Sequence, residues 1–307
     1  MKKRIQNRLA ESRFAFPVMI IYGLAVWLGA DTVAEGAYLQ LAFFVASTLL
    51  MMMLNNTNSL IRIYSRMVSC SFVAMTCAAT FLFSSLESCA TGTCFILFYL
   101  SLLRSYQDKR APGIAFYSFA CLGIASLFFV QILYFVPFLW ILMASNMMAL
   151  THRMFWATVL GLVMPYWFAV GYYVVTNQFD AFIDHFAELA QFEPLLQYEA
   201  LDIHRIATFG LVLLLAVIGI IHYMRNSYQD KIRTRMIFEM FITVDILSFV
   251  FIILQPQHFD NLLPIIIVNT SCLFAHYVAL TRTWLTNVTF IVMCLATLGL
   301  TIFNLMP

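Results

Sequence analysis

Charge is what this sequence has least of. Asp, Glu, Lys and Arg make up 10% of its 307 residues, where soluble domains carry about 25%. So few charges cannot supply the polar surface of a water-soluble fold of this length. The net charge is +2, and the basic residues come in small separated groups. No face gathers enough cations to neutralise a run of phosphates, which excludes a nucleic-acid partner. Glycine and proline are sparse, at 11 and 8 residues, and no Gly/Ser-rich or low-complexity tract divides the chain. No four-ligand spacing exists among the Cys and His residues, so neither a metal nor another cofactor is expected.

What is present in excess is apolar. Hydrophobic residues make up 63% of the chain, Phe alone contributes 30, and the mean hydropathy is +0.87. The solvent for most of such a surface is lipid. The phenylalanines are read as lipid-facing and interhelical packing. A spanning helix needs about 20 apolar residues, and such runs fall at roughly 14–30, 37–54, 67–86, 90–104, 112–131, 134–150, 155–176, 206–224, 236–254, 262–281 and 285–305. The fifth and sixth are nearly continuous and are split near Tyr134 to Pro137, because together they are too long for one crossing. The expected fold is all-α: a polytopic transmembrane helix bundle of about eleven spans, forming one integral membrane domain over residues 1–307.

Orientation follows from the positive-inside rule. With the N-terminus in the cytoplasm, every basic residue except Arg205 falls on the inner side. Asp31, Glu35, Glu87, Asp260 and the acids of one long loop collect on the outer side, and the C-terminus lies outside. An N-terminal signal peptide is the lesser reading, since the first run carries Pro17 and leads straight into further spans. The bilayer implied is the bacterial inner membrane.

The long loop, residues 177–205, is the chain's one extended polar interval. It holds six of the fifteen acids: Asp180, Asp184, Glu188, Glu193, Glu199 and Asp202. Phe179, Phe182, Ile183, Phe186, Leu189 and Ala190 repeat at helical spacing, which predicts an amphipathic interfacial helix near 179–192. It reads equally as a lid over a cavity and as a solvated connector.

Several side chains are candidates for chemistry. Arg205, the lone outer cation, with His204, suits a phosphate or diphosphate; the simpler reading is a local ion pair with Asp202 or Glu199. His185, Glu188, His258 and Asp260, with Asp31, form a candidate outer-face acid/base cluster. Asp245 lies mid-span, with Asn269, Thr270 and Asn146 as polar partners at similar depth; it is read as polar glue between helices, ahead of proton coupling. Cys89 and Cys94 flank an expected outer turn, Ser88 to Cys94, where an oxidising compartment would allow a disulfide. In the Asn55 to Arg66 loop, Asn58 or Ser59 is placed to cap the next helix. Ser105 to Lys109 recurs as Ser227 to Lys231 at two inner span ends, which is read as a shared juxtamembrane ending rather than a duplication.

The layout resembles a family of uncharacterised polytopic inner-membrane proteins of Bacteroidota. The residues that carry this are the basic N-terminus, the Asn-rich turn before Leu60-Ile61-Arg62, and Leu102-Leu103-Arg104 closing a span. Pro137-Phe138 in a Phe-rich hairpin and the turn Gln257 to Asn261 before Leu262-Leu263-Pro264 complete it. The resemblance implies the fold and no activity. The chain is also similar, more faintly, to multi-span envelope-glycan enzymes acting on polyprenyl-linked sugars. Those place a catalytic acid in a long first outer loop, or arginines in a large later loop. Here the first outer loop, Asp31 to Gly36, is short, and the later loop has one Arg. The expected function is a non-catalytic membrane component of envelope assembly or transport, with the lipid bilayer and other membrane proteins as partners. The alternative is an enzyme or carrier for a lipid-linked sugar or other anionic substrate at the outer face.

Overall fold

The computed structural model describes residues 4–30, 32, 36–191 and 201–306. Among them the chain is all-helical, without strands. The α-helices are α1 (Ile5–Ala10), α2 (Ala15–Gly29), α3 (Tyr38–Asn58), α4 (Met67–Ala78), α5 (Leu86–Leu102), α6 (Pro112–Phe128), α7 (Val136–Ser145), α8 (His152–Val175), α9 (Phe179–Ala187), α10 (Ile203–Asn226), α11 (Ile232–Leu254), α12 (Phe259–Leu280) and α13 (Trp284–Leu305). Local chemistry fixes many of their starts. Ser85, Thr151, Asp202 and Thr283 each accept a backbone N–H at an N-cap, and Pro112 opens α6, where its missing N–H costs nothing.

Among the described residues, seven helices are long and apolar enough to cross a membrane: α3, α5 with the 3-10 turn that follows it, α8, α10, α11, α12 and α13. The chain is therefore a membrane protein. The helices α2, α4, α6 and α7 are apolar but shorter. Each of the eleven expected runs thus contains a helix, but not each is of spanning length. At 12 residues, α4 rises about 18 Å against a hydrocarbon core of roughly 30 Å. It gives way after Ala78 to a 3-10 turn, Thr80–Leu82, where the Thr80 hydroxyl donates to the carbonyl of Asn304 at 2.8 Å. A second 3-10 turn, Val130–Phe135, separates α6 from α7 where the split was expected.

The sequence places a turn at Ser88 to Cys94, and the structure corrects this. The segment is helix, because Ser85 caps α5 two residues before Glu87 enters its first turn. Cys89 and Cys94 are free thiols. Five residues apart on one helix, they lie about 140° apart around the axis and rise about 7.5 Å, a separation no disulfide spans. The small residues here serve packing instead. Thr93 meets Ser47 of α3 at 2.7 Å, and the space a side chain at Gly92 would take is closed by Pro264 of α12 at 3.0 Å.

The centre of the molecule is α12. Nearly all of it is buried, by α4, α5, α10 and α11 packed around it. Its C-terminal carbonyls are covered by α1: Gln6 Nε2 donates to the carbonyl of Val278 at 2.7 Å, and Asn7 Nδ2 to that of Thr281 at 2.9 Å. Around this centre, α2 and α3 pack on α4, α13 packs on α4 and α10, and α6 and α8 extend the bundle from α5.

Contacts sort the connecting segments into two ends. At one, Arg4 meets Arg282, Arg62 meets Gln229, Arg233 meets Asn58 and Leu103, and Gln107 meets Met147. At the other, Gln40 meets Ser84, Ser88 meets Asn261, Arg205 meets Asp260 and Tyr134 meets Leu189. The first end is rich in arginine.

Backbones touch closely where α6 crosses α8. A Cβ added at Gly123 would sit 2.6 Å from the carbonyl oxygen of Leu162. On the lipid-facing side of α8, a Cβ at Gly171 would meet nothing within 4 Å. Alanine gains up to about 1 kcal/mol of helix propensity at either site, but overpacking at Gly123 costs about 1–3 kcal/mol. Gly123→Ala should therefore lower the melting temperature of the detergent-solubilised chain, while Gly171→Ala leaves it unchanged or raises it.

Candidate functional site

Asp202 starts α10, at the end opposite the arginine-rich one. Its carboxylate accepts the N–H of Ile203 at 2.9 Å, which starts the helix and sets His204 and Arg205 in its first turn. Asp202 acts on Arg205 only at longer range, and Glu199 lies outside the described residues. The partner is Asp260, in the first turn of α12. Arg205 Nε and Nη2 each donate to one of its carboxylate oxygens at 2.9 Å. This fork-on-fork geometry is the strongest a guanidinium makes, and Asp260 sits where a helix N-terminus favours an anion. The guanidinium also lies 5.3 Å over the ring of Phe81.

His204 is likewise engaged. Its Nδ1 is 2.9 Å from Asn304 Oδ1, and its ring stacks on Phe303. Asn304 Nδ2 donates to the carbonyl of Ala78 at 2.6 Å and to the hydroxyl of Thr208 at 2.9 Å. The result is a polar knot that ties α4, α10 and α13 together.

Among the described residues, each member of the expected outer-face cluster has neighbours of its own. His185 Nε2 lies 3.0 Å from the carbonyl oxygen of Ser126, His258 rests edge-on against Phe129 and Phe251, and Asp260 is committed to Arg205. Glu188 is exposed, and Asp31 lies outside the described residues. An apolar crevice of about 40 Å³ at this end is lined by Trp27, Phe44, Ser88 and Pro264, and by none of these charged side chains. The loop's helix, α9, turns Phe182 and Phe186 onto Tyr166 of α8, with ring centroids 6.4 and 5.0 Å apart. The remainder of the expected loop, 192–200, lies outside the described residues.

At mid-depth Asp245 is completely buried. Of the expected partners, Thr270 reaches it: its hydroxyl lies 3.3 and 3.2 Å from the two carboxylate oxygens. Asn269 does not. It accepts from the Tyr99 hydroxyl at 2.8 Å and donates to the carbonyl of Ile265 at 3.0 Å. Asn146 is at another level, donating to Glu239 at 3.0 Å, and Glu239 is about 9 Å along the helix axis from Asp245. Tyr99, one of several tyrosines in apolar runs, carries no sequence signal that singles it out.

The reading from sequence missed a group at the arginine-rich end. The Asp230 carboxylate meets His276 Nε2 at 2.9 Å, both side chains being almost fully buried, and the His222 ring lies tilted beside that of His276, centroids 5.4 Å apart. Histidine inside an apolar span was the available signal. The equivalent residue of the repeated pentapeptide, Asp108, only caps a turn by accepting the N–H of Arg110, so the two copies do different work. Ser59 ends α3 in a left-handed conformation rather than capping α4, and the Ser65 hydroxyl accepts the N–H of Met67 at the start of that helix. Among the described residues, no group of three or more His, Cys, Asp or Glu side chains is placed to hold a metal.

Comparison with protein-family models, with curated proteins and with solved structures finds no match.

Thr270 is the one described residue that donates a hydrogen bond to Asp245. Thr270→Val should destabilise the chain by about 1–3 kcal/mol, because it strands a buried acceptor. The double variant Asp245→Leu/Thr270→Val should recover most of that loss, since removing both partners together is nearly neutral. Thermal unfolding in detergent measures both.

Proposed function

We propose that the chain crosses the bacterial inner membrane eleven times and serves as a non-catalytic component of cell-envelope assembly or transport. In this reading the arginine-rich end is cytoplasmic, as the positive-inside rule requires. The short helices α2, α4, α6 and α7 cross as well, helped by the 3-10 turns that lengthen α4 and α7. The helix α9 lies in the outer interface, with Phe179 and Ile183 exposed toward lipid. The lipid bilayer and other membrane proteins are the partners.

One observation carries the non-catalytic reading. The side chains best suited to outer-face chemistry are already consumed by structural partners from other helices, Arg205 by Asp260 above all. A lipid-linked diphosphate would have to displace a bidentate carboxylate to reach that guanidinium. His204, His185 and His258 each have a different neighbour and share no reaction centre.

A polyprenyl diphosphate added to the detergent-solubilised chain should raise its melting temperature no more than polyprenol does. A saturable rise specific to the diphosphate, lost in Arg205→Gln, would reject this reading in favour of an enzyme or carrier for lipid-linked sugars.

A further inference from the structure

The arginine-rich end holds an open, polar cavity. It has a volume of about 390 Å³ and is lined by Arg62, Ile63, Gln229, Ala279, Leu280 and Arg282. Each lining element is brought there by a chain break. Ser59 turns α3 out of its helix at φ 49°, Leu60 and Ile61 bury themselves, and Arg62 emerges at the rim. The 3-10 turn Ser227–Gln229 brings in Gln229. The last turn of α12 supplies Ala279 and Leu280, and the chain leaves it through Arg282.

We propose that this cavity is a phosphate-binding site, with Arg62 and Arg282 as its cations. The two are prepared differently. Arg62 is held along one edge: its Nη2 donates to Gln229 Oε1 at 2.6 Å, and Nη1 lies 3.9 Å from Asp230. Its Nε makes no hydrogen bond to a described residue. Asp230 offsets this charge in part: its Oδ1 faces Arg62 at 3.9 Å while its Oδ2 is held by His276 at 2.9 Å. The guanidinium of Arg282 meets no described hydrogen-bond or ion-pair partner; only its backbone is engaged, the carbonyl oxygen accepting from Arg4. That contact also brings a third cation to the rim.

A helix C-terminus ordinarily repels anions. Here Gln6 and Asn7 bond the carbonyls of Val278 and Thr281, which blunts the repulsion in part. Two guanidiniums against one shared carboxylate leave an unspent positive charge, and planar N–H forks match phosphate oxygens. Ile63, Ala279 and Leu280 give the cavity an apolar wall. A basic pocket between helices near the membrane surface suits a phospholipid headgroup, and the same cations would hold a soluble phosphate.

Thermal unfolding of the full chain in a non-ionic detergent, titrated with three probes, separates these cases. Dioleoylphosphatidylglycerol should raise the melting temperature saturably, and dioleoylglycerol, which lacks the phosphate, should not. A matching rise with inorganic phosphate alone assigns the site to soluble phosphate; a rise only with the phospholipid assigns it to the headgroup. Arg282→Gln, which breaks no side-chain contact, should raise the half-saturating concentration about tenfold, the loss of roughly one charged hydrogen bond. Arg110→Gln, an exposed arginine not among the cavity's lining residues, should leave it unchanged. The site is rejected if no phosphate-bearing probe raises the melting temperature, if Arg282→Gln binds like the parent, or if Arg110→Gln weakens binding equally.

Discussion

A helix walled in by other helices has no lipid or water to satisfy its polar side chains, and α12 carries such side chains at every level. Five of them find partners on α5, α10, α11 and the segment after α10. At the outer end Asp260 takes Arg205 of α10, and Asn261 takes Ser88 of α5. In the middle Asn269 takes Tyr99 of α5, and Thr270 takes Asp245 of α11. At the inner end His276 takes Asp230, beyond α10. Inside a membrane, apolar surface alone chooses neighbours poorly, because lipid tails are as apolar as leucine. These pairs supply the choice. They fix which helices surround α12 and at what depth, and the outer helices α2, α3, α6, α8 and α13 then pack on that arrangement.

The same accounting separates the two ends. At the outer end each nominated group with a described partner is bound into the fold, and Arg205 with Asp260 works as a clasp between α10 and α12. The inner end is less complete. Its carboxylate is divided between an arginine and a histidine, Arg282 is left over, and an open cavity lies between them. In the proposed orientation, a closed outer face and cationic capacity at the inner face fit a component that is positioned by lipid, or that answers to phosphate, more readily than an enzyme working on an outer-leaflet donor.

Helix existence was legible in the sequence because apolar run length reports it directly. All eleven runs contain a helix, and the break at Tyr134 to Pro137 coincides with a 3-10 turn. Length was less legible: α4 stops at Ala78 because Thr80 and Asn304 meet, a contact between residues 224 apart. The turn expected at Ser88 to Cys94 failed for a related reason. Ser, Thr and Gly signal a loop in water, but between helices they signal close approach, and Gly92 against Pro264 is such a contact. Thr270 was legible as a partner for Asp245 by depth alone. Asn269 and Asn146 were not separable from it without knowing rotation and register. The pairing of Arg205 with Asp260 joins two loops, and local charge pointed instead to Asp202, whose carboxylate the helix cap had already taken.

The account rests on the short helices crossing the membrane like the long ones, so that the two ends face opposite compartments. The most direct measurement is labelling of single cysteines, on a cysteine-free background, by a membrane-impermeant maleimide in intact cells. Tyr64 and Ser84, both exposed, bracket α4, one of the short helices. Eleven crossings with a cytoplasmic N-terminus predict that Ser84→Cys reacts in intact cells and Tyr64→Cys only after permeabilisation. If both react under the same condition, α4 does not cross, and the alternating arrangement is wrong.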